Sequence, residues 1–475
     1  MSERGERTMG HGAARAAAER ALRLPGTLAE SRAGDPRSTG PERAAALRRL
    51  AITTLDANWE HDHTVPSRTL YPHQWSWDSA FIAVGLAHFR PDRAWRELHT
   101  LFAAQWADGR VPHIVFNPAL RAGSYFPGPE FWDTARAAGA PAAATSGIVQ
   151  PPVHAPAAWL VHRRAPSEAS VRALRGLYPR LVAQQRYLTG ARDVGGAGLA
   201  AVVHPWESGL DNSPAWDAPL AAVPADAEVM RAYRRHDTAH ADAAHRPTDL
   251  DYARYVALVD AYRAGRYRDE GLLGRHPFLV ECPLVNAALG LAEHALARIA
   301  AVVGADPGPH RERAARLTQA LVDRLYDPAT STFHPRDVRT GRLIPARTVL
   351  GLMPLILPDL PARQVRAVLA EAGSPRFGLA ARMDRPLPTY DRTAPDFEPL
   401  RYWRGPSWLN TSWLLWRGLL AHHRPDLAAG LRESMLAIAA RSGCHEYFHP
   451  DTGAGLGSPA FSWTAALLLD ALAEG

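Results

Sequence analysis

The 475-residue chain is 47% hydrophobic and 21% charged, the balance of an ordinary globular protein with ample material for a core. Its net charge of +6 rests entirely on arginine, and basic and acidic residues alternate along most of the chain. Only residues 1–40 approach the clustered basic face that nucleic acid needs, so a nucleic-acid partner is excluded. No run of 18 apolar residues marks a membrane span, and no apolar segment makes the N-terminus a secretory signal. Two cysteines, Cys282 and Cys444, are too few for a disulfide framework, match no metal-ligand spacing and fit a reducing cytoplasm.

Residues 1–40 lack a steady apolar stripe and read as a disordered or loosely helical leader. From residue 41 to 475 the pattern is that of a single domain. Ala44, Leu47, Leu50, Ala51 and Leu55 open it at three-and-four spacing. Further helical stretches follow at about 78–89, 91–107, 153–163, 168–189, 247–264, 282–303, 308–325, 346–356, 361–372, 405–421, 425–441 and 461–473. Strong strand signals are almost absent. Connections are alternately short and long, and the long ones carry Gly, Pro, Trp and Tyr. This predicts an all-α fold, an (α/α)6 toroidal barrel with long loops at one end that build a funnel. A helical solenoid is the competing architecture, but motifs scattered over the whole chain favour a closed ring that brings them together.

The first such motif is Tyr71-Pro72-His73-Gln74-Trp75-Ser76-Trp77-Asp78-Ser79, a loop entering a helix. Asp78 is either a helix N-terminal charge or a carboxylate accepting two sugar hydroxyls, with Trp75 or Trp77 supplying a ring face. His113, in the turn-and-extended segment Asp108–Ile114, is either a satisfied core histidine or a sugar contact. Gln150, just before two prolines, can donate and accept at once, as a hydroxyl requires. The densest stretch is His204-Pro205-Trp206-Glu207-Ser208-Gly209-Leu210-Asp211-Asn212-Ser213-Pro214-Ala215-Trp216-Asp217. Its prolines and Gly209 break both helical and alternating patterns, leaving a loop of carboxylates beside indoles. Such surroundings suit sugar chemistry, because an indole face stacks on a pyranose and an apolar wall raises a carboxyl pKa. Residues 218–245 form a long weakly patterned loop, and the spacing of His236, His240 and His245 fits no zinc site. Arg246 follows, with Thr248 placed to cap the helix that carries Tyr252. Near the C-terminus, Tyr402-Trp403-Arg404-Gly405-Pro406-Ser407-Trp408 supplies a second aromatic wall, and Glu446 precedes a turn.

Glu-Ser-Gly-x-Asp-Asn-Ser-Pro (207–214), Tyr-Trp-Arg-Gly-Pro-x-Trp (402–408) and Ser-Trp-Thr-Ala-Ala (462–466) occur in that order. Together they make the chain resemble glycoside hydrolases of the mannosylglycerate/glucosylglycerate hydrolase type, relatives of glycoside hydrolase family 63 and, more distantly, of trehalase. The resemblance runs from about residue 45 to the C-terminus. It implies an (α/α)6 barrel and inverting hydrolysis of a small α-glucoside or α-mannoside, with no metal or organic cofactor. By motif position it implies Asp211 as general acid and Glu446 as general base. It places Asp78, Gln150, Trp75, Trp403 and Trp408 on the sugar-site wall with Tyr71 at its border, and Arg246 and Tyr252 on a loop closing over the substrate. The glycerate-specific members carry two glutamines before the Ser-Trp-Thr-Ala run, the second of which helps hold the acceptor; here Ala460 and Phe461 stand there, so that acceptor contact is missing.

Inversion itself requires one carboxylic acid to protonate the leaving oxygen and one carboxylate, across the ring, to deprotonate water. The two carboxyl groups are then about 6.5–9.5 Å apart. Glu207 and Asp217 are the rivals of Asp211 for the acid role. Trp206, Trp216 and the 402–408 aromatics are expected to bury Asp211. Two other readings compete with the hydrolase. A helical-barrel epimerase would converge paired histidines drawn from His113, His154 and His204, and a non-catalytic carbohydrate-binding protein would keep the tryptophans alone. A small carbohydrate is the expected partner, no membrane is involved, and self-association is left open.

Overall fold

The structure, a computed structural model, describes residues 40–474 apart from 122, 234, 236 and 239–241. Residues 1–39 of the expected leader, His236 and His240 therefore lie outside the described residues.

Twelve α-helices longer than ten residues occur among the described residues: α1 Gly40–Asn58, α2 Ser76–Leu86, α3 Pro91–Ala103, α4 His154–Arg164, α5 Glu168–Gly190, α6 Asp249–Ala264, α7 Pro283–Val303, α8 Gly308–Leu325, α9 Ala362–Ala372, α10 Leu409–Ala421, α11 Pro425–Ser442 and α12 Ser462–Ala473. Proline in the first turn starts α3, α7, α8 and α11, where its missing N–H costs nothing. Thr248 caps α6 as its sequence position predicts, in a reciprocal capping box with Asp251. The stretch expected as an ordinary helix at 346–356 is instead a 3-10 helix, Val349–Ile356. Pro354 inside it has no N–H to give an i−4 bond.

Six helices form a closed inner ring, each packed on the next: α2, α4, α7, the 3-10 helix, α10 and α12, with α12 returning to α2. The outer ring is α1, α3, α5, α8, α9 and α11. Inner helices are covered on both sides, which is why α2 and the 3-10 helix are buried at every residue. α7 is the one helix among the described residues long and apolar enough to cross a membrane, and here it is a mostly buried stave of this ring. One apolar core runs through the barrel from Ala46 to Ala471. The helix expected at 247–264, α6, is an addition outside both rings.

Connections at one end of the barrel are the short segments 87–90, 165–167, 304–307, 357–361 and 422–424. Those at the other end are 59–75, 104–153, 191–282, 326–348, 373–408 and 443–461. Every motif singled out in the sequence lies in, or just after, a connection of the long kind. Two-residue strands pin these loops together, which the sequence did not announce. Gln74–Trp75 pairs with Ile114–Val115, and Ala201–Val202, Val280–Glu281, Arg336–Asp337 and Arg342–Leu343 form a four-stranded patch.

Candidate active site

The long loops enclose two adjoining chambers at the N-terminal ends of the inner helices. An inner chamber of about 390 Å³ is lined by Trp77, Asp78, Gly209, Trp403, Glu446, Phe461 and Trp463, among others. An outer chamber of about 610 Å³ is lined by His113, Tyr125, Trp206, Arg246, Tyr252 and their neighbours. Tyr71, Trp75, Gln150, Asp211 and Tyr402 border both and mark the waist between them.

Asp211 reaches this waist on a turn that glycine makes available. Gly209 has φ +76°, and a Cβ there would stand 2.5 Å from the Trp77 ring, so the chain passes directly over that indole. Tyr255 Oη donates to the Asp211 carbonyl at 2.9 Å and holds the turn from α6. Burial pushes the Asp211 carboxyl up to about 8; Arg246 pulls it down in part, and the neighbouring Glu446 adds to the rise. Asp78 is also held well above its ordinary value, first by burial and then by repulsion from Glu446 and Asp211. Three carboxyl groups thus crowd one chamber.

Glu446 is anchored from three sides. Tyr71 Oη donates to its Oε1 at 2.7 Å, Arg246 Nη2 to its Oε2 at 3.0 Å, and the Ser458 N–H to Oε2 at 3.1 Å. Arg246 Nη1 also donates to Tyr71 Oη at 3.0 Å, and its guanidinium lies 4.5 Å over the Tyr402 ring. Arg246 and Glu446 are both 1% exposed at their side chains, so this ion pair is screened little by water. Tyr402 completes the cluster with a hydroxyl 3.2 Å from that of Tyr71, and holds φ +40°, uncommon for an aromatic residue. Asp211 and Glu446, 235 positions apart (446 − 211), meet at one chamber because the ring of helices closes.

The remaining wall is aromatic and amide. Gln150 Oε1 accepts from the Trp77 N–H at 3.1 Å, which orients its amide at the waist. His113 is a neutral imidazole at the outer chamber, its pKa well below the ordinary value because it is buried. Its Nδ1 is 2.7 Å from Ser146 Oγ, and its ring stacks near Trp206.

A family model described as the mannosylglycerate hydrolase MGH1-like glycoside hydrolase domain matches residues 71–464. The chain belongs to this family. A mannosylglycerate hydrolase of Rubrobacter radiotolerans is 42% identical over 429 residues, covering 90% of this chain and 96% of the relative. A glucosylglycerate hydrolase of Mycolicibacterium hassiacum is 36% identical over 422 residues, covering 86% and 93%. Among solved structures, a glycoside hydrolase family 63 mannosylglycerate hydrolase of Thermus thermophilus, in complex with Tris and D-glycerate, superposes with a TM-score of 0.81. It is 38% identical and covers 89% of this chain and 99% of its own. The protein is accordingly a glycoside hydrolase built on the (α/α)6 barrel.

Within this glycoside hydrolase some expected site residues fall elsewhere. Trp408 does not line either chamber. It is fully buried, stacked 3.7 Å from Trp403 on one face and 4.8 Å from Tyr447 on the other, so it backs the wall that Trp403 presents. Trp216 is likewise buried and donates from Nε1 to the Leu210 carbonyl, fixing the turn rather than walling Asp211. Glu207, the rival acid, is bound by both Nη groups of Arg192 at 2.7 Å and by the Val149 and Val203 N–H groups. Asp217 pairs with Arg404 outside the chambers. Of the three epimerase candidates only His113 lines a chamber. His154 is engaged by Ser76 and Gln184, and His204 by Tyr255 and the Trp206 N–H.

The structure also adds residues that the sequence reading passed over. Tyr125, Phe126 and Pro127 line the outer chamber, together with Leu70, Ile114, Asp237 and Pro247. Tyr125 and Phe126 belong to Gly123-Ser124-Tyr125-Phe126-Pro127-Gly128-Pro129-Glu130-Phe131-Trp132, which mixes aromatics with Gly and Pro as the other site loops do. That signature was available. Among the described residues, no group of three or more His, Cys, Asp and Glu is placed to hold a metal ion.

Proposed function

We propose that this enzyme hydrolyses a glucosyl or mannosyl α-glycoside of a small hydroxy acid such as glycerate, with inversion at the anomeric carbon. Asp211 gives its proton to the glycosidic oxygen as the bond to the anomeric carbon breaks. Glu446 takes a proton from the water that attacks from the opposite face. Each turnover leaves Asp211 ionised and Glu446 protonated, and exchange with solvent resets both. The glycone occupies the inner chamber, against Trp403 and Trp77, with Asp78 and Gln150 on its hydroxyls. The aglycone points through the waist toward Arg246, Tyr125 and Tyr252, where a carboxylate meets a cation and phenolic hydroxyls.

The observation that carries this reading is the contrast between two carboxyl groups of one chamber. Asp211 is pushed up to about 8 by burial, whereas Glu446 is ion-paired with Arg246. Opposed environments of this kind divide acid and base roles. The names of the relatives support the glycerate aglycone. The test is turnover of a panel: α-glucosylglycerate, α-mannosylglycerate, glucosylglycerol and neutral α-disaccharides. The reading expects the two glycerates to lead by kcat/KM. Equal turnover of glucosylglycerol would remove the anionic aglycone.

A further inference from the structure

The barrel has a second opening. At the C-terminal ends of the inner helices lies a cavity of about 840 Å³, larger than either chamber of the sugar site. Five of the six inner-ring segments build it: α2, α4, α7, the 3-10 helix with its following turn, and α10. Its body is apolar, formed by residues such as Val84, Leu160, Leu291, Ile356 and Leu414. The cavity is partly open to solvent, and its aliphatic and aromatic lining suits an apolar occupant. Aromatic rings divide it from the sugar site. Trp77 faces the inner chamber, Phe81 and Trp413 face the cavity, and these rings touch edge-on or tilted at centroid distances of 5.5 and 5.8 Å.

The polar groups at its rim are unequally committed. Arg417 is 3.2 Å from Glu474 and 3.7 Å from Asp470, and His294 is 3.0 Å from Asp359. Arg298 lines the same cavity and makes no ion pair among the described residues. One uncommitted, exposed cation at the rim of an apolar pocket forms a head-and-body pattern.

We propose that this cavity binds a monoanionic amphiphile, a medium-chain carboxylate with its alkyl body in the barrel and its head on Arg298. One free guanidinium matches a carboxylate better than a dianionic phosphate. The site is separate from the sugar chambers and independent of the glycerate reading.

The test is calorimetric titration of the full chain with octanoate, with octanol as the same body without charge, and with butyrate as the head without the body. Octanoate is expected to saturate at one per chain, octanol to bind more weakly and butyrate not at all. Arg298→Gln is expected to weaken octanoate about tenfold, the scale of one charge-assisted hydrogen bond, and to leave octanol unchanged. Ala157→Leu, which places extra methyl groups in the cavity, is expected to abolish binding of both while the melting temperature holds or rises. Asp211→Asn protein should bind octanoate as the parent does. Octanoate binding no tighter than octanol, affinity unchanged by Arg298→Gln, or loss of binding in Asp211→Asn would each overturn the proposal. So would sedimentation showing a dimer that octanoate cannot enter, since a second copy would then be the occupant.

Discussion

The two ends of this barrel are made by the same helices and differ in almost every other respect. At the short-turn end the helices are joined by three to five residues, and what they enclose is aliphatic and aromatic with two arginines, Arg298 and Arg417, and His294 at the edge. At the long-loop end the enclosed surface carries Asp78, Asp211 and Glu446 around the single guanidinium of Arg246. The difference teaches where the chemistry comes from. Helices supply a rigid ring, and only loops long enough to fold back over its mouth can bury ionisable groups against one another. The same contrast recurs over four positions. Glu207 points into the body of the protein and is fully matched by Arg192 and two backbone N–H groups, whereas Asp211 points into the chamber and keeps a raised pKa.

Substitutions that erase the chemistry of the long-loop end should have the largest effect. Asp211→Asn and Glu446→Gln are each expected to lower kcat by about 10²–10⁴-fold, the usual contribution of a general acid or base, with the helical fold preserved by circular dichroism. A variant retaining a third of parental kcat would remove its residue from the acid–base pair. Next in size is Tyr71→Phe. It deletes the 2.7 Å hydrogen bond to Glu446 and the acceptor for Arg246, and should cost about 10–100-fold in kcat with little change in KM. A change confined to KM would make Tyr71 a sugar contact instead.

The pH dependence sharpens the contrast further. As the proposed general acid, Asp211 acts in its protonated form, so kcat/KM should fall as pH rises through about 8. The same raised value bears on stability. Its folded pKa lies above that of the unfolded chain, so between about pH 4 and pH 8 the unfolded state releases a proton the folded state keeps. The contribution of this group is therefore full below about 4 and is lost as pH climbs toward 8. Asp211→Asn should be more stable than the parent at pH 8 by a margin that shrinks toward pH 4, measured by urea unfolding. A constant margin would mean that Asp211 ionises normally. The smallest effect belongs to the short-turn end. Arg90, in the turn 87–90, pairs with Asp92 on the surface, and Arg90→Ala should leave kcat/KM within about twofold.

Most of the architecture was legible because the outer helices write a helical period into the sequence and the inner ones stand out as apolar stretches between long loops, and the ring closes on segments as far apart as α2 and α12. The 3-10 helix was not, since Val-Leu-Gly-Leu-Met-Pro-Leu-Ile is apolar at every position and carries no period to separate one helix type from another. Nor was α6 distinguishable from a ring helix by pattern alone. At the site, carboxylates beside tryptophans pointed to Asp211, whereas Glu446 was marked only by its motif position in the family resemblance; both line one chamber together with Asp78. Trp408 was misplaced because a tryptophan two layers deep and one at the surface of a wall look alike in sequence. The Arg246–Glu446 ion pair joins residues 200 positions apart, and nothing local announces it.

The most direct measurement of the acid–base assignment is proton NMR of the sugar released in the first seconds of hydrolysis of α-glucosylglycerate or α-mannosylglycerate. Water activated by Glu446 across the ring from Asp211 yields the β-anomer first, with the α-anomer growing in only as mutarotation proceeds. Initial release of the α-anomer would contradict the account, because the two carboxyl groups would then have to act through a covalent intermediate.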